Sequence, residues 1–166
     1  FYAENSAALI KYGRFFDGAR IGIALYGVNP VPGDKTPLLP VMTFRAAVIA
    51  INTVKKGDFI GYSRGYRAKK DMRVAIISTG YADGLPRALS NKGMIFCNGQ
   101  FLKIVGKVSM DSVAVDAGDA DVKIMDEVVV FGDEITVTDV ANRADTLPYE
   151  ILTGVSERVK RVYKNP

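Results

Sequence analysis

Apolar and turn-forming residues divide this chain into two textures. In the first, Glu4 to Lys11 reads as a short helix, with Asn5 as candidate N-cap and Gly13 as its stop. The run RIGIALY, Arg20 to Tyr26, is rich in apolar residues and bounded by glycines, which predicts a buried strand. A helix followed by a buried strand predicts the end of an α/β unit. Asn29 to Pro40, NPVPGDKTPLLP, then carries four prolines and a glycine, which predicts a linker and a domain boundary. Beyond Pro40 the pattern changes. Val41 to Val54 alternates, with Met42, Phe44, Ala46, Val48 and Ala50 on one face, and predicts a long strand turned by KKGD at Lys55 to Asp58. Arg73–Ser78, Met94–Cys97, Phe101–Val108, Ser112–Val115 and Val128–Phe131 predict further strands. Asn98-Gly99 is the strongest hairpin signal. Closely spaced short strands with turn signals predict a mainly β domain, a barrel or a sandwich. Near the end, Thr138 is a candidate N-cap for a helix over Asp139–Arg143. Pro148–Gly154 predicts a second helix with proline in its first turn. Glu157 to Tyr163 alternates charged and apolar residues and predicts a closing strand.

Composition narrows the chemistry. The 166 residues are 48% hydrophobic and 24% charged, the profile of a folded globular chain. The formal charge of +4 carries no basic stripe that would argue for nucleic acid. Basic residues gather weakly at Arg64–Arg73 and Arg158–Lys164, either as solvated surface or as an attractor for an anion. Cys97 is the single cysteine, so no internal disulfide forms, which fits a reducing, cytoplasmic setting. In the apolar run MIFC it reads as a small core residue. No apolar run is long enough to span a bilayer, so a membrane enters only through a segment upstream. There is no histidine. That excludes, within the chain, a Ser-His-Asp triad, a Cys-His pair and a His-ligated zinc site. No other metal-ligand spacing is present. Proton transfer must use Tyr, Lys, Cys or a carboxylate, or a cofactor must carry the chemistry.

The segment GYSRGYRA, Gly61 to Ala68, concentrates turn residues and cations around Tyr66. Positive charge close to a phenol favours its ionised form. Tyr66, flanked by Arg64 and Arg67, is therefore a candidate acid/base, against the plainer reading of a surface loop. RIGIALYG puts Arg20 at the start of a predicted buried strand, where a charge needs a partner unless it snorkels out. GYADG, Gly80 to Gly84, and VSMDSV, Val108 to Val113, place Tyr81, Met110 and Asp111 at breaks between strands. ENSAA and LPYE put Ser6 and Tyr149 at helix starts, where backbone N–H groups favour an anion such as phosphate.

In this order and at these separations, RIGIALYG, the Tyr of GYSRGYRA, GYADG, KVSMD and PYE closely resemble the C-terminal portion of the alanine racemase family, over essentially the whole chain. The resemblance implies a β-barrel-like C-terminal domain over residues 39–166. It implies that residues 1–38 are the last helix and strand of a TIM-type barrel that binds pyridoxal 5'-phosphate. It implies an isomerase that interconverts L- and D-alanine for peptidoglycan, working as a homodimer with shared active sites. Tyr66 resembles the tyrosine that moves the substrate α-proton on one face. Arg20 resembles the residue on the pyridine nitrogen, and Ser6, Gly22, Ile23 and Tyr149 resemble the phosphate-binding set, Gly22 and Ile23 through backbone N–H. Met110 resembles the residue whose N–H meets the substrate carboxylate, and Tyr81 and Asp111 resemble residues of the substrate entryway. Tyr66, Tyr81, Met110 and Asp111 would act on the partner subunit's cofactor. Two departures stand out. Gly65 replaces the usual small polar residue before the tyrosine, and no lysine here lies in a motif like that of the family's Schiff-base lysine. The 166 residues alone are therefore expected to be inactive. Alternatives are a serine or serine/alanine racemase, including the membrane-fused type of glycopeptide resistance, and a non-catalytic β-barrel binding module.

Overall fold

The computed structural model describes residues 1–164. It comprises two compact units, Phe1–Thr43 and the chain from Phe44 onward.

In the first unit, strand β1 (Tyr2–Asn5) pairs in parallel with β2 (Gly18–Arg20), and helix α1 (Ser6–Tyr12) connects them. Asn5 caps α1, its Oδ1 accepting from the Ala8 N–H at 2.9 Å, and Gly13 closes the helix by donating to the Leu9 carbonyl. The strand expected over Arg20–Tyr26 is not formed. β2 ends at Arg20, and Ile23–Tyr26 is a single 3-10 turn. Arg20 pairs with Asn5, where β1 gives way to the helix, so the chain beyond Arg20 has no edge left to pair with. A short apolar run reads equally well as strand or helical turn. Ile23 is buried, while Leu25 and Tyr26 are exposed.

The second unit is mainly β. Strands β3 (Phe44–Val54), β6 (Met72–Ile77), β7 (Met94–Cys97), β8 (Gln100–Ile104), β9 (Val113–Asp116) and β10 (Glu127–Phe131) close an antiparallel barrel in the order β10-β3-β6-β9-β8-β7. A separate two-stranded ribbon joins β4 (Phe59–Ile60) to β5 (Tyr66–Arg67). Val48, Ala75, Ile77, Ile95, Ile104, Val115 and Val128, fully buried, form the barrel core. Each large aliphatic side chain buried here contributes about 1.5–3 kcal/mol. Asn98 and Gly99 both take positive φ, 45° and 81°, as a two-residue hairpin between β7 and β8 requires.

Several boundaries differ from the sequence reading. β3 begins at Phe44, and its alternation breaks between Val48 and Ala50, where the β3–β6 register shifts. β8 stops at Ile104. Helix α2 (Val137–Ala144) is capped by Thr136 rather than Thr138. Thr136 Oγ1 accepts from the Asp139 N–H, and the Asp139 carboxylate accepts from the Thr136 N–H, a reciprocal cap. Helix α3 (Pro148–Gly154) runs as expected. Residues 157–163 form no strand. The barrel is already closed by the β10–β7 pair and offers no edge for another strand. Arg161 instead donates to the carbonyls of Val155, Ser156 and Val159 and folds this segment on itself.

Candidate active site

Tyr66 opens β5 directly after the turn Gly61–Gly65. Ser63 and Arg64 both take φ 53° in that turn, so the chain reverses within a few residues. Adjacent strand residues point to opposite faces. Tyr66, half-buried, packs against the cluster of Ile60, Ala68, Met72, Val74 and Val105. Arg67 points the other way, and the guanidinium carbons of Arg64 and Arg67 lie 5.0 and 5.8 Å from the centre of the Phe59 ring. Arg67 Nε also donates to the Gly57 carbonyl at 3.3 Å. The cationic flank expected from the sequence is thus engaged on Phe59, an attraction between guanidinium and ring face. Tyr66 owes its place to packing and to the turn. Its hydroxyl has no hydrogen-bond partner among the described residues and is available to a ligand.

GYADG and VSMDS are laced together. The Tyr81 N–H donates to the Ser109 carbonyl and the Ala82 N–H to the Met110 carbonyl, both at 3.0 Å. Gly80 makes this possible. A Cβ there would fall 2.3 Å from both carbonyl oxygens, so the two turns could not approach. Asp83 Oδ2 accepts from the Gly80 N–H at 2.9 Å and closes the first turn. Ser109 and Ser112 close the second. The Met110 N–H donates to no acceptor among the described residues, and Tyr81 and Met110 are 44% and 51% exposed. An unpaired N–H beside exposed side chains suits a carboxylate.

Asp111 accepts from Arg158 Nη2 at 2.7 Å, and Arg158 Nε lies 3.5 Å from Asp83 Oδ1. The bond to Asp111, followed by the Asp83 charge, holds the Arg158 guanidinium above its ordinary value. In the sequence Arg158 is one member of a weak basic cluster, open to solvent or to an anion. No local motif marks it, because both its partners lie in distant segments.

In the first unit, Ser6 starts α1 and is buried. Its Oγ accepts from the N–H groups of Gly22 and Ala24, at 3.0 and 3.4 Å. The Ser6 hydroxyl proton and the Ile23 N–H between those two donors have no acceptor among the described residues. Two donors left without an acceptor close together in the chain fit an anionic oxygen, as in a phosphate. The Gly22 N–H, by contrast, already donates to Ser6 Oγ. Arg20 lies at the end of β2 rather than at the start of a buried strand, is exposed, and has no partner among the described residues. Tyr149, in the first turn of α3, is 52% exposed. The Cys97 thiol is raised above its ordinary value by burial and then by the Asp126 charge, so it stays an inert core group.

The family model "Alanine racemase, C-terminal domain" matches residues 41–163. The chain belongs to the alanine racemase family. The alanine racemase of Halothermothrix orenii is 39% identical over 99% of this chain and 45% of its own length. That of Brucella canis is 43% identical over 97% of this chain and 45% of its own length. The crystal structure of the Bartonella henselae alanine racemase, with covalently bound pyridoxal phosphate, superposes with a TM-score of 0.92 at 40% identity, covering 98% of this chain and 46% of that one. The chain thus spans about half the length of the alanine racemases it matches, and its closed β-barrel is that of their C-terminal domain. Among the described residues, no helix is long and apolar enough to cross a membrane.

Proposed function

We propose that this chain is the C-terminal part of a pyridoxal-phosphate-dependent alanine racemase, an isomerase that supplies D-alanine for peptidoglycan in the cytoplasm. The observation that carries the reading is the match over 98% of the chain to an alanine racemase that holds this cofactor. Pyridoxal phosphate, when bound, supplies an electron sink that acidifies the substrate α-proton. The chain's own groups have separate tasks. Ser6, the backbone N–H groups of Gly22 and Ile23, and Tyr149 hold the phosphate, Gly22 also donating to Ser6 Oγ. Arg20 donates to the ring nitrogen, and because a guanidinium keeps its protons, it leaves that nitrogen largely unprotonated and limits electron withdrawal. The Met110 N–H holds the substrate carboxylate, and Tyr81 and Asp111 line the approach. Tyr66 takes or returns the α-proton on one face. In this reading residues 1–38 finish a TIM-type barrel, and two copies share each site, with Tyr66, Tyr81, Met110 and Asp111 working on the cofactor of the other copy. The exposure of Tyr81 and Met110 supports such sharing. None of the chain's lysines lies in a cofactor-lysine motif, so the 166 residues alone are expected to show no alanine racemisation when assayed with added cofactor.

The decisive experiment replaces Tyr66 with Phe in the complete racemase. Alanine enantiomers have equal free energy, so kcat/KM must fall equally in both directions. The α-proton exchange into deuterated water separates the faces. We expect exchange to fall about a hundred- to ten-thousand-fold for one enantiomer and to persist for the other. Unchanged exchange for both would show that Tyr66 is not the acid/base.

A further inference from the structure

The described unit holds its two candidate working segments through one dipeptide that no part of the proposed chemistry uses. Ser90 and Asn91 follow a 3-10 turn at Arg87–Leu89. Asn91 Nδ2 donates to the Gly65 carbonyl at 2.9 Å, and Asn91 Oδ1 accepts from the Gly106 N–H at 2.7 Å. Both ends of one amide are therefore spoken for. Turning the amide over would face donor to donor and acceptor to acceptor, so the orientation is fixed. The Gly65 carbonyl belongs to the peptide that leads into Tyr66. Ser90 Oγ meanwhile accepts from the Val108 N–H at 3.0 Å and donates to the Arg87 carbonyl at 2.6 Å. Val108 leads into the Ser109–Met110 turn that presents the free Met110 N–H.

We propose that Asn91 is a positioning residue that sets the Tyr66 hydroxyl relative to the Met110 turn. The need for it follows from the local fold. β4 and β5 form only a two-residue ribbon outside the barrel, and the intervening turn holds two non-glycine residues at positive φ. Such a ribbon is marginal without outside support. Gly106, held by Asn91, backs directly onto Ile60, the cross-strand partner of Tyr66. A Cβ at Gly106 would lie 2.9 Å from the Ile60 carbonyl oxygen. Asn91 thus fixes the tyrosine ribbon at its entry through Gly65 and against its back through Gly106. Asn91 itself takes φ 61°, a conformation that Asn, Asp and Gly accept. Substitutions to Gly or Asp change the bonds without straining the backbone.

This inference rests on the reading of Tyr66 as the acid/base of one face, and its test keeps the two apart. The complete racemase is prepared as wild type, Tyr66→Phe, Asn91→Gly and Asn91→Asp. Asn91→Gly removes both bonds. Asn91→Asp keeps the acceptor for Gly106 and sets a carboxylate oxygen against the Gly65 carbonyl. Thermal unfolding, cofactor absorbance, kcat, KM and α-proton exchange of each alanine enantiomer are measured. Misplacement of a reacting group by about 1 Å costs on the order of a hundredfold. Both variants are expected to fold and to bind cofactor, with kcat lowered about ten- to a hundredfold and KM little changed. The loss should fall on exchange of the same enantiomer that Tyr66→Phe silences. Equal losses on both faces, or exchange at wild-type rates, overturn the inference. Loss of the fold in both variants also overturns it, since Asn91 would then hold the domain rather than place the tyrosine. A wild type without racemase activity, or Tyr66→Phe with normal exchange, instead removes the reading of Tyr66.

Discussion

Gly80 shows how much one missing side chain can decide. Its lack of a Cβ lets the Tyr81 turn and the Met110 turn share two backbone hydrogen bonds. Gly80→Ala must push these turns apart, at a cost of about 1–3 kcal/mol for overpacking. Because Met110 moves with its turn, the complete enzyme should show a raised KM for alanine together with a lower melting temperature. Gly154→Ala is the control, because an added methyl there meets nothing within 4 Å. Steady-state kinetics and thermal unfolding on the pair check this, and equal behaviour of the two variants would count against the close approach at Gly80.

At the scale of elements, the ends of the long strand β3 and of β6 are joined through Asp71. Its Oδ2 accepts from Lys55 Nζ at 2.8 Å, and its Oδ1 from the Lys56 N–H at 2.9 Å. The Lys55 bond first, and the Lys56 N–H second, hold the Asp71 carboxyl below its ordinary value. The sign follows directly. A carboxyl whose folded-state pKa lies below its unfolded value binds fewer protons when folded. It therefore stabilises the fold above the unfolded pKa, about pH 4, and loses that contribution as pH falls through the folded value. Asp71→Asn should lower the unfolding temperature slightly at pH 7, and the gap from wild type should close below about pH 4. A gap that is unchanged at low pH would show that something other than the Asp71 charge makes the difference. The pair is exposed, so the effect is small and should shrink with salt.

For the molecule as a whole, the closed barrel is the scaffold. Ile77 on β6 faces Val48 on one neighbour and Val113 on the other, with none of its surface exposed. Ile77→Ala should cost about 2–5 kcal/mol through lost burial and a residual cavity. The urea midpoint should fall with an unchanged slope, since the same surface is exposed on unfolding. A cost below about 1 kcal/mol would mean that the barrel collapses around the gap.

What the sequence determined by itself lies mostly within reach of a few residues. Asn98-Gly99 sets its hairpin because only residues tolerant of positive φ can make a two-residue reversal there. Pro148 starts α3, and short apolar runs bounded by turn residues locate the cores of β6, β7, β9 and β10. The segments GYSRGYRA, GYADG and VSMD stand out in the sequence as turn-rich breaks between strands, and together in their order they carry the family resemblance. The spacing of Thr136 to Asp139 is that of a reciprocal cap, whereas Thr138 lies inside the helix. Tertiary structure alone decided the rest. Arg67 turns to Phe59 because strand neighbours face opposite sides, and Arg64 reaches the same ring from the turn, which linear adjacency hides. The strand expected over Arg20–Tyr26 stops at Arg20 because its partner strand ends at Asn5. Residues 157–163 stay out of the sheet because barrel closure removes every free edge, and closure is set by β10 meeting β7. Arg158 finds Asp83 and Asp111, and Asn91 finds Gly65 and Gly106, across separations that no local pattern encodes. Those partners are chosen by the packing of the barrel, which fixes which distant backbone groups are left unpaired and within reach of a side chain.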